Sequence, residues 1–205
     1  MYSKLKSLIF LLTFTMFLTG CSKPQLTSLN SESVILAFGD SLTFGYGVTP
    51  AHSYPAVLES LGGVKVINGG VSGETTAEGL LRLPALLEEH KPSIVVLLEG
   101  GNDVLQKVPE PQIEANLRRM IELIQSRGAQ VVLIGVPEKK IFGSALPLYE
   151  RLAEQYHVPL EAEIVASLIK RPSMKSDFVH FNEKGYAALA EAIYEIMVEH
   201  GAYQL

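Results

Sequence analysis

Hydrophobic positions follow two alternating patterns along this chain from about residue 33 onward. Short runs that are apolar without interruption, such as IVVLL, predict buried β-strands. Longer segments in which apolar residues recur every three or four positions predict amphipathic helices. The predicted strands cover residues 33–38, 64–67, 94–98, 130–134 and 158–160. The predicted helices cover residues 53–61, 75–90, 111–127, 146–156, 161–170 and 183–200.

Apolar strands that alternate with helices are typical of a parallel sheet covered by helices on both sides. We therefore predict an α/β fold, a three-layer α/β/α domain with a central parallel sheet of about five strands. Ligands bind such sheets beyond the carboxyl ends of the strands, so we expect the functional site in the turns after the first three strands. Pro84 falls inside the predicted helix over 75–90 and is expected to kink it or to shift its start.

The first 20 residues have a different pattern, in which two lysines precede a short apolar run over 8–18. That run is too short to span a bilayer of about 30 Å, but it suits a secretory signal. The string LTGC resembles a bacterial lipobox and contains the single cysteine of the chain, Cys21. We predict a lipoprotein signal peptide over 1–20, lipidation of Cys21 with a tether over 21–32, and a folded domain over 33–205. A plain cleaved signal and an uncleaved anchor are the alternatives.

Charge and composition narrow the range of partners. The 205 residues include 17 basic and 22 acidic side chains, for a net charge of −5, and no basic block indicates nucleic acid as a partner. We expect a monomer that reaches the membrane only through the lipid on Cys21. The residue after that cysteine is Ser22, which, by resemblance to Gram-negative lipoproteins, favours lipid anchoring in the cell envelope, at the outer membrane or the periplasmic face.

Several kinds of site have no support in the sequence. The chain lacks a P-loop motif and has no G-x-G-x-x-G after the first strand, so no nucleotide cofactor is expected. It lacks H-E-x-x-H, and its five histidines are far apart in sequence, so no metal is expected. A carboxylate-pair glycosidase is harder to exclude, although most glutamates fall on the polar faces of predicted helices.

Glycine-rich turns with small polar residues follow three predicted strands, and an Asp-x-x-His lies near the C-terminus. This combination fits nucleophilic acyl transfer, which needs a hydroxyl, an imidazole base, a group that orients the base, and an oxyanion hole. Ser41 is the predicted nucleophile, His180 the base and Asp177 the orienting carboxylate. The backbone N–H groups of Ser41 and Gly73 and the side-chain amide of Asn102 are the predicted oxyanion hole.

The strings FGDSLTFGYG, NGGVSGET, LEGGND and DFVHFN resemble, in order, four sequence blocks of the SGNH (GDSL) hydrolase superfamily. The likeness is greatest to bacterial esterases of the arylesterase, thioesterase and lysophospholipase type. It implies a flavodoxin-like SGNH hydrolase fold and a serine esterase that hydrolyses carboxylic ester or thioester bonds through an acyl-enzyme on Ser41. The expected partner is a small acyl, aryl or lysophospholipid-type ester. An O-deacetylase of envelope polysaccharide and a non-catalytic ligand-binding lipoprotein are the alternatives.

Some positions depart from the family pattern or have no settled role. Phe178 and Phe181 stand where the family has glycine and proline, and we expect them to change the acyl pocket. Glu74 stands where aspartate is usual. Glu99 is either a structural acceptor or a residue that tunes the site, whereas Asp40 is expected to order the turn around Ser41. The candidates for an acyl groove, any of which can instead belong to the core, are Phe44, Tyr46, Leu105, Ile141, Phe142 and Leu146.

Overall fold

The computed structural model describes residues 23–138 and 145–203. The predicted signal peptide, the lipidation site Cys21 and the groove candidates Ile141 and Phe142 lie outside the described residues. None of the helices in the described part of the chain combines the length and the hydrophobicity needed to cross a bilayer.

The five strands form one parallel sheet with the order β2-β1-β3-β4-β5, so the predicted α/β fold is confirmed. Ile35, in β1, pairs with Val66 of β2 on one side and with Ile94 of β3 on the other. The central strands are buried on both faces, which explains their uninterrupted apolar sequences. The strands are β1 (Val34–Gly39), β2 (Lys65–Gly70), β3 (Ile94–Leu98), β4 (Gln130–Ile134) and β5 (Leu160–Glu161).

The described ranges contain eight α-helices, which cover the sheet in two layers. In one layer α2 packs with α8, and in the other α3 packs with α5 and α5 with α6. Short 3₁₀ turns lie at Pro50–His52 and Pro172–Met174. The helices are α1 (Ser41–Phe44), α2 (Tyr54–Gly62), α3 (Thr76–His90), α4 (Gly101–Gln106), α5 (Glu110–Ser126), α6 (Pro147–Tyr156), α7 (Ile164–Ile169) and α8 (Glu183–Glu199).

Helix α3 continues through Pro84 instead of ending there, and the proline does not move its start. A proline removes one hydrogen bond to the preceding turn. Two features offset that loss. Thr75 and Glu78 form a capping box at the N-terminus, and Leu83 and Leu87 are buried in the core.

The segment predicted as a tether lies partly against the domain, so the folded unit begins before residue 33. Leu26 is buried, and its N–H donates to the carbonyl of His200 at 2.7 Å. The N–H of Leu29 donates to the carbonyl of Ala202 at 2.7 Å. The last carbonyls of a helix have no intrahelical donor, and this N-terminal strap, residues 23–30, supplies donors at the end of α8.

Candidate active site

The first motif turns sharply from β1 into the short helix α1. Asp40 is the N-cap of this helix, and its buried carboxylate accepts a hydrogen bond from the N–H of Leu42 at 2.9 Å. Ser41 is therefore the first helical residue, directly beyond the carboxyl end of a central strand. Its N–H has no acceptor within the helix, because the first N–H groups of any helix lack one.

The loop before α8 holds Asp177 and His180, and its own hydrogen bonds close it. Oδ1 of Asp177 accepts from the backbone N–H groups of Val179 at 2.9 Å and of His180 at 2.8 Å. The N–H of Ser176 donates to the carbonyl of His180 at 3.1 Å. The aspartate thus folds the chain back on itself, so that its side chain and that of His180, three residues later, come into contact.

Ser41, His180 and Asp177 form a continuous chain of hydrogen bonds. Nδ1 of His180 lies 2.7 Å from Oδ2 of Asp177, and Nε2 lies 2.9 Å from Oγ of Ser41. A carboxylate only accepts hydrogen bonds, so Nδ1 carries the proton of the neutral ring. Nε2 is then the acceptor for the serine hydroxyl. The sequence motifs lie 139 residues apart, and the fold brings them into contact.

Hydrogen bonds keep Asp177 ionised. Partial burial acts to raise the pKa of Asp177, but the bonds from the His180 ring and from the two backbone N–H groups outweigh it and lower the pKa to about 2. The carboxylate is therefore present over the whole range in which a histidine base operates.

Asn102 connects two of the motif turns. Its Nδ2 donates to the backbone carbonyl of Glu74 at 2.8 Å and to Oδ2 of Asp40 at 3.3 Å. Glu74 directly follows Gly73, and Asp40 directly precedes Ser41. The two hydrogen bonds of Asn102 therefore connect it to the neighbours of both other predicted oxyanion donors. Because the amide bridges the first and second turns, Asn102 lies between the elements that carry Ser41 and Gly73.

Asp103 is a structural residue of the site to which sequence reasoning gave no role. Its carboxylate accepts from the N–H of Thr76 at 2.8 Å and from the hydroxyl of Thr76 at 2.6 Å. These bonds attach the start of α3 to α4, and so hold the second motif turn against the third. The feature of the sequence that could have indicated this role is the position of Asp103 directly after Asn102 in the third motif.

Arg82 neutralises Glu74 beneath the second turn. The Nε of Arg82 lies 3.0 and 3.1 Å from the two carboxylate oxygens, and its Nη2 also donates to the carbonyl of Gly69 at 2.9 Å. The guanidinium lies 4.4 Å from the ring centroid of Phe38. Glu74 thus has a buried, paired position behind the turn, where it braces the backbone that contacts Asn102.

Glu99 is fully buried directly after the end of β3. Its Oε2 accepts from the N–H of Gly100 at 3.2 Å, whereas Oε1 has no partner among the described residues. Burial, followed by the nearby carboxylates of Asp40 and Glu74, raises the pKa of Glu99 well above its ordinary value. Burial also raises the pKa of Asp40, to about 6.

The aromatic residues around His180 have different surroundings. Phe178 is 90% exposed, so it is free to contact a ligand. Phe181 is fully buried and packs edge-on against Tyr186, with ring centroids 5.6 Å apart. The prediction that Phe181 shapes the acyl pocket is therefore wrong, because its ring is part of the core under α8.

The remaining candidates for the acyl groove also include both buried and exposed side chains. Leu146 is buried in the core at the start of α6, so it does not line an open groove. Phe44, Tyr46 and Leu105 are each about half exposed. Within residues 23–138 and 145–203, no group of histidine, cysteine and acidic side chains is arranged to hold a metal ion.

Comparison with known proteins identifies the family. Residues 37–188 match the model of the GDSL-like lipase/acylhydrolase family. The chain belongs to this family of SGNH (GDSL) hydrolases, and it is an enzyme that hydrolyses ester bonds. The matched range contains all the predicted site residues except Cys21.

Individual relatives cover most of the chain. An arylesterase of Vibrio mimicus is 36% identical over 177 residues, which is 81% of this chain and 88% of the relative. The thioesterase 1/protease 1/lysophospholipase L1 of Escherichia coli is 31% identical over 78% of this chain and 81% of its own length. Among solved structures, the SGNH-hydrolase family esterase AlinE4 is 32% identical, with a TM-score of 0.65 over 84% of this chain and 98% of that one.

A more distant structure supports the fold alone. The psychrotrophic esterase EstA from Pseudoalteromonas is 24% identical and superposes with a TM-score of 0.74 over 82% of this chain and 97% of that one. The five-stranded parallel sheet flanked by helices is the architecture of these SGNH hydrolases.

Proposed function

We propose that the protein is a serine esterase that hydrolyses carboxylic ester or thioester bonds of acyl or aryl substrates through an acyl-enzyme on Ser41. The observation that carries this proposal is the hydrogen-bonded series from Asp177 through His180 to Ser41, with distances of 2.7 and 2.9 Å. A hydroxyl next to an oriented, neutral imidazole is the arrangement that makes serine nucleophilic at neutral pH.

In acylation, Oγ of Ser41 forms a bond to the substrate carbonyl carbon while Nε2 of His180 takes the hydroxyl proton. The C–O or C–S bond of the leaving group then breaks, and the imidazolium returns that proton to the departing alcohol or thiol. In deacylation, Nε2 takes a proton from water as the water oxygen attacks the acyl carbon. Collapse of this second intermediate releases the carboxylic acid and restores the serine hydroxyl. Asp177 remains ionised throughout and stabilises the imidazolium.

The negative oxygen of each tetrahedral intermediate needs hydrogen-bond donors that are already in position. We assign this role to the backbone N–H groups of Ser41 and Gly73 and to Nδ2 of Asn102. The contact of Asn102 with the carbonyl of Glu74 supports this role, because it restrains the amide beside the turn that contains Gly73.

A label test separates a catalytic serine from a structural one. A fluorophosphonate should modify the wild-type protein at Ser41, and Ser41→Ala should lose both the label and at least about 10³-fold of esterase activity. The fold should be unaffected, since within the described residues the hydroxyl is hydrogen-bonded to His180 alone. A labelled peptide elsewhere in the chain, or full activity in the alanine variant, would contradict the assignment.

For the substrate, we infer an ester with an apolar acyl or aryl group. Two observations support this class. Relatives are an arylesterase and a thioesterase/lysophospholipase, and three exposed apolar side chains lie within three residues of a predicted site residue in the sequence, namely Phe44, Leu105 and Phe178. Such side chains stabilise an apolar ligand by removing both surfaces from water.

Phe178→Ala tests this inference, with Leu81→Ala as a control that is similarly exposed, at 84%, on α3. If an octanoyl chain covers about 40–80 Å² of the phenyl ring, kcat/KM for p-nitrophenyl octanoate falls about fivefold to thirtyfold. The acetate ester should be much less affected, and Leu81→Ala should change neither. Equal losses on both esters would contradict a role in chain binding. In the same assay, activity confined to acetylated sugars would favour the deacetylase alternative.

We also propose that Cys21 is lipidated and that the protein is anchored in the cell envelope. The support is the string LTGC after a short apolar run. Expression in a bacterial host fed labelled palmitate should give a labelled, membrane-associated protein, and Cys21→Ser should give neither. Unlabelled protein released from the membrane fraction in wild-type cells would overturn the proposal.

A further inference from the structure

Tyr46 contacts the imidazole of His180 from the side that the hydrogen bonds leave free. The centroids of the two rings lie 4.4 Å apart, and their planes are inclined by 35°. The bonds from His180 to Asp177 and Ser41 are made by its two ring nitrogens. Hydrogen bonds of ring nitrogens are directed along the ring plane, so they restrain tilting of the ring weakly. A ring packed on its face restrains that motion directly.

The backbone of Tyr46 is fixed by bonds on both sides. Its N–H donates to the carbonyl of Ser41 at 3.0 Å, and its carbonyl accepts from the hydroxyl of Tyr186, on α8, at 3.0 Å. The same residue is therefore attached to the serine at one end and to the helix that follows the histidine loop at the other.

Two glycines allow the backbone around Tyr46 to adopt its tight turn. Gly45 and Gly47, on either side of Tyr46, have φ values of +88° and +90°, which side-chain-bearing residues rarely adopt. A Cβ at Gly45 would lie 2.6 Å from Cβ of Ser53, and one at Gly47 would lie 2.8 Å from Oγ of Ser176. The turn is thus tightly packed, and the orientation of the Tyr46 ring is a property of the fold.

We propose that Tyr46 is a positioning residue for His180 that also stabilises the imidazolium formed in each proton transfer. This inference rests on the proposed function of the Ser41 site. The face of a phenol ring is electron-rich and attracts a cation within about 6 Å of its centroid. Neutral imidazole gains little from this attraction, so the contact strengthens as the proton moves from Ser41 to Nε2.

The expected size of the effect follows from cation–aromatic contacts at partly exposed sites. Replacing Tyr46 with leucine should lower kcat about twofold to fivefold and leave KM nearly unchanged. It should also move the acidic limb of the kcat/KM profile to lower pH by about 0.4–0.7 units, because protonation of the base is less favourable without the ring. Asp177 and Asp40 are the other charged groups that act on His180, and the substitution removes neither.

The experiment compares Tyr46→Leu, Tyr46→Met and Tyr46→Phe with wild type on a short-chain ester over a pH series. Phenylalanine keeps the ring face and should retain the wild-type rate and acidic limb, whereas both aliphatic variants should show the losses above. Methionine provides a second aliphatic test if leucine unfolds the turn. Tyr194→Leu is the matched control, because it removes a similar ring contact, 4.7 Å from Tyr203, away from the site, and should leave the kinetics unchanged.

Three results would overturn the inference. A rise in KM with unchanged kcat and an unchanged acidic limb would mean that Tyr46 binds the substrate. An equal loss of kcat in Tyr46→Phe would mean that the phenol hydroxyl, and not the ring face, produces the effect. Fluorophosphonate labelling distinguishes these results from failure of the proposed function. If the wild-type protein is labelled at Ser41 and Tyr46→Leu has the same rate and pH profile as wild type, the role of Tyr46 is refuted and the proposed function is not. If the wild-type protein is not labelled, the proposed active site itself is refuted.

Discussion

Replacing Asn102 with alanine tests the oxyanion hole, and the structure allows the catalytic and stability effects to be estimated separately. Loss of one oxyanion donor lowers kcat by about 10²–10³-fold, or roughly 2.7–4 kcal/mol of transition-state stabilisation. The same substitution removes one good hydrogen bond, from Nδ2 to the carbonyl of Glu74 at 2.8 Å, and a longer one to Asp40 at 3.3 Å. Their loss should lower the free energy of unfolding by about 1–2 kcal/mol.

The two effects are distinguished by kinetics on p-nitrophenyl acetate together with urea unfolding of the same samples. Asn116→Ala is the matched control, because its amide donates to the hydroxyl of Thr76 at 3.0 Å on the far side of the second turn. It should lose similar stability and keep its kcat. If Asn102→Ala raises only KM, Asn102 binds the ground state and its assigned role is wrong. If Asn116→Ala loses as much kcat as Asn102→Ala, the loss of kcat comes from loosening of the turn, and the assignment of Asn102 to the oxyanion hole is again contradicted.

Three further substitutions test other parts of the structure. Asp177→Asn should lower kcat by about 10³–10⁴-fold, because Nδ1–H loses its ionised acceptor. It should also lower the free energy of unfolding near neutral pH, because the folded state lowers the pKa of Asp177; a near-normal plateau rate would show that the carboxylate does not orient His180. Glu99 has a raised pKa in the folded protein, so its folded state holds a proton that the unfolded state releases, and stability falls as pH rises above the ordinary carboxyl range. Glu99→Gln should therefore gain stability relative to wild type as pH rises above the ordinary carboxyl range, and a stability difference that does not change with pH in urea unfolding would contradict the raised pKa of Glu99. Leu26→Ala should lower the free energy of unfolding by about 2–3 kcal/mol without changing kcat, whereas an unchanged denaturation midpoint would mean that the N-terminal strap adds nothing to the domain.

The buried acidic groups also explain why the second motif tolerates glutamate. Glu74 pairs with Arg82 behind the turn, and its backbone carbonyl contacts Asn102. Its side chain and its carbonyl thus serve different partners. Asp103 accepts from the N–H of Thr76, two residues further along the chain. Two buried carboxylates thus hold the chain that directly follows Gly73.

The amino-acid sequence by itself determined the features that depend on local pattern. The strands over 94–98 and 130–134 have the predicted bounds, because uninterrupted apolar runs between polar turns have few other solutions in a sheet that is buried on both faces. The long helices lie within a few residues of their predicted limits, because apolar side chains at helical spacing define one buried face. The candidate set of Ser41, Asp177 and His180 also came from the sequence, and the structure brings these side chains together, although their catalytic roles stay a prediction.

Only the tertiary structure decided which neighbours those residues have. Helices α1 and α4 contain four and six residues, too few for a periodic pattern, and the N-cap of α1 is Asp40, a residue of the site itself. Phe178 and Phe181 look equivalent in sequence, yet one ring is exposed and the other is buried under α8. The N-terminal strap looked like a polar tether because its one buried residue, Leu26, has its backbone hydrogen-bond partner, His200, far away along the chain. The contact between Tyr46 and His180 likewise joins distant segments. Burial and ring contacts of this kind depend on which elements meet in space, and the order of residues along the chain does not contain that information.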